Sequence, residues 1–229
     1  MSFTPDQNPG ILLNNGQVMP QLGLGVYKVQ QDIAVDLVRT ALDAGYRRID
    51  TAALYDNETQ VGQGIRESGI DRSEVFVTTK IWNDRQGYNE SLKAIDESLA
   101  RLDLGYVDLL LIHWPSPAQD LYIDTWKAFE KVLSDGLVRN IGVSNFQPNH
   151  LDRLIANSEV KPVVNQVELH PFFQQHDVRS ANARHEVLKD FKSRVIPYLQ
   201  SSGVLGASVS EAEDAVLTAA CPLIQERIT

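Results

Sequence analysis

An α/β fold with a parallel sheet is the class this sequence predicts. Short apolar runs without polar alternation recur at 22–26, 46–49, 75–81, 107–114, 141–143 and 163–167, the pattern of strands buried on both faces. Amphipathic stretches separate them, so the chain reads as six successive strand–helix units with right-handed connections. No Gly-x-Gly-x-x-Gly follows the first run, where Gly23 and Gly25 lie inside the strand itself. That disfavours a doubly wound nucleotide-binding sheet and favours a (β/α)8 barrel.

Taken in order, residues 10–20 come first and read as a small hairpin turning at Asn15-Gly16, placed to plug the bottom of the barrel. Leu37, Val38, Ala41 and Leu42 form one helical stripe, and Leu92, Ile95, Leu99 and Leu102 form another at the i, i+3, i+7 spacing. Pro148, just after Asn145 and Gln147, suits the first turn of a further helix.

The 229 residues, 43% hydrophobic and 22% charged, suffice for one large core or two small ones, and length alone does not choose. A net charge of −9 argues against a nucleic-acid surface, which needs clustered Lys and Arg. No run is long and apolar enough for a membrane span, and residues 1–10 lack the pattern of a signal peptide. The single cysteine, Cys221, excludes an intrachain disulfide and suggests a reducing compartment. The expectation is therefore a cytoplasmic protein.

In a barrel of this kind chemistry collects at the C-terminal ends of the strands. Asp50 ends the second run, Lys80 the third and His113 the fourth, while Tyr55 lies in the loop after Asp50. Each has an ordinary structural reading: a capping Asp, a snorkelling Lys, a bonded core His, a packed Tyr. Those readings weaken together, because four independent structural residues need not gather at one end of adjacent strands. As a set they have a joint use. A Lys ammonium lowers the pKa of a neighbouring phenol, and a carboxylate holds the Lys charged and in place. The phenol then serves as general acid toward a carbonyl oxygen that a His donor orients. Such a site lacks a reductant, so a hydride carrier is implied. A metal-dependent hydrolase would need clustered ligands, and no His-x-His marks the first strand; no metal is expected.

At these residues the sequence resembles the aldo-keto reductase family, closest to its bacterial diketogluconate and methylglyoxal reductase-like branch. The matching segments are Met19-Pro-Gln-Leu-Gly-Leu-Gly-Val-Tyr27, Gly45-Tyr-Arg-Arg-Ile-Asp-Thr-Ala-Ala-Leu-Tyr-Asp-Asn-Glu58, Thr79-Lys-Ile-Trp82, Asp108-Leu-Leu-Leu-Ile-His-Trp-Pro115, Ile141-Gly-Val-Ser-Asn-Phe146 and Asn165-Gln-Val-Glu-Leu-His-Pro171. The resemblance implies a TIM barrel and NADPH-dependent reduction of an aldehyde or ketone, with NADH as the other candidate. It makes Tyr55 the proton donor, Lys80 and Asp50 its tuning partners and His113 the carbonyl-orienting group. Asp50, Ser144, Asn145 and Gln166 would contact the cofactor, the last three at the nicotinamide carboxamide. Tyr27, Tyr55, Trp82, His113 and Trp114 would line the substrate pocket, although Tyr27 and Trp114 also suit plain core packing.

Beyond Gln175 the resemblance stops. The family's aromatic-Ser-Pro-Leu and Ile-Pro-Lys-Ser segments have no counterpart, since Tyr198 and Leu199 follow Ile196-Pro197. The chain therefore divides into 1–175, the hairpin and six barrel units, and 176–229, an atypical segment. In the latter, 178–193 and 215–220 read as helices, the second after the capping box Ser210-Glu-Ala-Glu213. Residues 194–199 and 204–209 read as short strands that would close an otherwise six-stranded, incomplete barrel. The favoured alternative is a frameshift, deletion or gene-model error in this segment. Two functional expectations follow. One is an NAD(P)H-dependent reductase of a small carbonyl compound such as methylglyoxal or a diketo sugar acid, monomeric if the barrel closes. The other is an impaired remnant that binds cofactor weakly or not at all.

Overall fold

The computed structural model describes residues 9–170, 172–192 and 217–218. The expected hairpin forms from β1 (Gly10–Leu12) and β2 (Val18–Pro20). Gly16, at φ +82°, makes the tight turn between them, its amide donating to Leu13 O. The hairpin lies across one end of the barrel, where Asn14 Nδ2 donates to Pro162 O and Asn15 Nδ2 to Asn140 Oδ1. Leu13 and Met19 pack there against Phe76, Leu109, Leu111, Val163 and Val164. The bottom of the barrel is plugged, as the sequence predicts.

Seven parallel strands follow in chain order, alternating with helices: β3 (Gly23–Gly25), α1 (Gln31–Asp43), β4 (Arg48–Asp50), α2 (Glu58–Glu67), β5 (Phe76–Ile81), α3 (Tyr88–Leu102), β6 (Leu109–Ile112), α4 (Tyr122–Ser134), β7 (Ile141–Ser144), α5 (Pro148–Ala156), β8 (Val164–Glu168), α6 (His176–Arg184) and β9 (Leu188–Lys192). Each strand pairs in parallel with the next. Side chains alternate across this wall. Ile49, Val77, Leu110, Ile112 and Val143 join the helix stripes in the outer core, while Phe76, Leu109, Leu111 and Val164 fill the lower interior. Above that apolar layer the inward positions turn polar, and the site is built there.

Two elements depart from the sequence reading. A single helix expected over 178–193 proves to be α6 followed by β9. Glu186 takes a left-handed conformation, φ +60°, that ends the helix and turns the chain, and the Leu188 amide then donates to Val163 O of the neighbouring strand. The cluster of Val187, Leu188 and Phe191 that suggested a helix face equally suits a strand. The helix expected over 215–220 is extended at its centre instead. There β10 (Leu217–Thr218) pairs antiparallel with β3 on one side and β9 on the other, completing a closed ring of eight. The strands expected at 194–199 and 204–209 lie outside the described residues. Among those described, no helix is long and apolar enough to cross a membrane.

Candidate active site

Asp50 and Lys80 end up at one face because their strands are in parallel register, Asp50 opposite Thr78 and Lys80 two residues further along β5. Lys80 is fully buried and Asp50 nearly so. Lys80 Nζ donates to Asp50 Oδ1 (2.5 Å), to Thr51 O (2.8 Å) and to Tyr55 Oη (3.3 Å), using all three protons of the ammonium. Tyr55 is delivered by a 3-10 turn, Ala53–Tyr55, closed by Asp56 at φ +55°. Asn57, wholly buried, fixes that turn: Thr51 Oγ1 donates to its Oδ1, and its Nδ2 donates to Val26 O and Val29 O. The base of Tyr55 is thus tied to the loop after β3.

His113 follows β6 and is buried, its ring 5.8 Å from that of Tyr55 and edge-on to it. Trp82 stands 5.0 Å from His113, also edge-on, and Tyr27 lies 5.0 Å from Tyr55. The residues expected to line a pocket are therefore gathered around the phenol, except Trp114. That residue is 44% exposed, on the rim rather than in the core, and its carbonyl accepts from Gln86 Nε2.

The Lys80 ammonium has the sign that the sequence predicts, but burial outweighs it. Burial pushes the Tyr55 phenol above its ordinary pKa; the Lys80 ammonium pulls it down, the Asp50 carboxylate pushes it up, and the net is a rise. Lys80 therefore moderates the rise without making the phenol more acidic than a free tyrosine. Burial alone would lower the Lys80 pKa, but Asp50 and Tyr55 outweigh it and the ammonium is held charged above its usual range. The set keeps a protonated phenol beside a permanent cation at neutral pH. It can give a proton to an oxygen that acquires charge.

Ser144 ends β7, and Asn145 follows at φ +62°; Gln166 lies on β8. Ser144 Oγ donates to Gln166 O, and Asn145 Nδ2 donates to Ser144 Oγ and His113 O. Gln166 Nε2 donates to Asp50 Oδ2 at 2.8 Å, joining this group to the Lys80–Tyr55 pair. With its amide nitrogen so engaged, Gln166 offers its Oε1 as an acceptor, next to the hydroxyl and amide of Ser144 and Asn145. An acceptor there suits the NH2 group of a primary carboxamide such as that of nicotinamide.

Two residues of this network escaped the sequence reading. Arg48, on β4 and fully buried, pairs with Asp190 on β9, its Nη1 donating to Oδ1 at 3.1 Å and its Nη2 bonding Oδ2. Gln166 Nε2 also donates to Asp190 Oδ2 at 2.8 Å. The signal was present as charges at inward positions of two strands, but Asp190 lay in a stretch read as helix. Among the described residues no cluster of His, Cys, Asp and Glu could hold a metal ion.

The aldo/keto reductase family model matches residues 19–206. This chain belongs to the aldo/keto reductase family. The match runs past Gln175 and takes in α6 and β9. Morphine 6-dehydrogenase of Pseudomonas putida is 53% identical over 176 residues, 77% of this chain and 60% of the relative. Glyoxal reductase of Bacillus subtilis is 53% identical over 170 residues, 74% of this chain and 61% of the relative. The chain thus spans less than two thirds of the length of these relatives. Among solved structures, a Bombyx mori aldo-keto reductase in complex with NADP superposes with a TM-score of 0.75 at 39% identity, covering 80% of this chain and 65% of that one.

Proposed function

We propose that this chain is a carbonyl reductase that uses NADPH, or alternatively NADH, to convert a small aldehyde or ketone to an alcohol. The observation that carries the reading is the unbroken contact from Asp50 through Lys80 to the Tyr55 hydroxyl, with His113 beside it. The cofactor would supply a hydride to the carbonyl carbon. Tyr55 would then donate its proton to the carbonyl oxygen, the Lys80 ammonium offsetting the negative charge left on the phenolate. His113 would orient the oxygen, and Ser144, Asn145 and Gln166 would fix the carboxamide so that one ring face is offered. Tyr27 and Trp82 would form an aromatic wall suited to a compact substrate, with the exposed Trp114 outside it. Methylglyoxal or a diketo sugar acid is the substrate class we favour, since relatives of similar identity carry the names glyoxal reductase and methylglyoxal reductase. We place the protein in the cytoplasm as a monomer.

Titrating the purified chain with NADPH, followed by quenching of tryptophan fluorescence, tests the first half of this proposal. Saturable micromolar binding is expected, followed by NADPH oxidation when methylglyoxal is added. Absence of saturation would favour the impaired remnant instead.

A further inference from the structure

Beneath the proposed site the barrel interior holds a second pair of opposite charges, which the reduction chemistry does not use. Arg48 and Asp190 are both buried, and the side chain of Arg48 passes close to Gly23, where a Cβ would come within 3.0 to 3.2 Å of its stem carbons. The pair has little to recommend it as a source of stability. Buried ion pairs roughly break even against apolar side chains of similar volume, and Arg48 Nε finds no acceptor among the described residues.

What the pair does fix is an amide. Gln166 Nε2 has two protons, and two carboxylate oxygens take them, Asp50 Oδ2 and Asp190 Oδ2, each at 2.8 Å. The reverse orientation would set the Gln166 carbonyl oxygen against two anions, so it is forbidden electrostatically. We infer that Asp190, anchored by Arg48, is a positioning residue that locks the Gln166 amide with its oxygen toward the cofactor and its nitrogen on Asp50. This rests on the reductase reading for its consequence in turnover, but the lock itself exists in the cofactor-free protein. Asp190 accepts from three donors, two on Arg48 and one on Gln166. An asparagine in its place has one acceptor atom for those three, so the Gln166 amide is then held by Asp50 alone and turns over more readily.

The test uses three variants of the full chain: Asp190→Asn, the conservative Asp190→Glu, and the apolar pair Arg48→Met with Asp190→Leu, which removes the Asp190 half of the lock while keeping the interior filled. Folding is checked first by thermal melt. In 15N-glutamine-labelled protein without cofactor, the side-chain amide protons of Gln166, assigned by their loss in Gln166→Glu, exchange slowly in the wild type. They are expected to exchange at least tenfold faster in Asp190→Asn and in the apolar pair, and slowly again in Asp190→Glu. In turnover with NADPH deuterated on one face of C4, wrong-face transfer is expected to rise in the same two variants and fall back in Asp190→Glu. A folded apolar pair with unchanged Gln166 amide exchange would overturn the lock. If the wild type itself shows no turnover, the reductase reading fails, and the exchange result still decides the lock.

Discussion

Tyr55 is the residue on which the proposed chemistry turns, and its acidity is decided by burial more than by its charged neighbour. The sign follows directly. A phenol whose pKa is raised stays protonated through neutral pH, so the rate of reduction is expected to be flat there and to fall only above the ordinary value of about 10. Lys80 is the chief influence pulling the other way. In Lys80→Met the alkaline limb of kcat against pH is therefore expected to move upward, while kcat itself falls by about 100-fold. A limb that moves down would show that Lys80 is not setting the phenol's pKa. Asp50, Lys80 and His113 stood out in the sequence because each sits at the end of an apolar run, and Tyr55 because it lies in the loop just after Asp50. The direction of the Tyr55 shift was not legible, because desolvation depends on how residues such as Tyr27 and His113 close around the ring.

At the scale of elements, parallel register does the assembling. Asp50, Lys80, His113 and Gln166 sit on or just past four strands, and a shift of one residue in any of them would turn its side chain to the helices. The helices must dock closely to hold that register. Gly62 on α2 shows how closely: a Cβ there would lie 1.9 Å from the backbone carbonyl of Leu102 at the end of α3. Gly62→Ala is expected to destabilise the fold by about 1–3 kcal/mol or more, read as a lowered urea midpoint. An unchanged midpoint would mean that α2 and α3 do not pack this tightly. The six strand runs and the hairpin were legible as pattern. β9 was not, because 188–192 is too short and too mixed in polarity to separate a strand from the end of a helix. Only pairing with β8 decides it, and pairing is a long-range property.

For the whole molecule, closure is what brings those strands to a common face. Without β9 the pair between Arg48 and Asp190 does not exist, and without β10 the edges of β3 and β9 would stand open. β10 is short and antiparallel, whereas the sequence reading put a helix over 215–220. No local signal announces it, since two residues become a strand only by what they lie between. The assembled barrel is thus the object that the proposed carbonyl reduction needs. The most direct measurement is reduction of methylglyoxal with NADPH deuterated at C4, with the product examined for deuterium. The wild-type chain should place deuterium on the former carbonyl carbon, and a folded Tyr55→Phe variant should leave the substrate unchanged. Deuterium transfer that persists in Tyr55→Phe at the wild-type rate would contradict the account, as would a folded wild-type chain that transfers none.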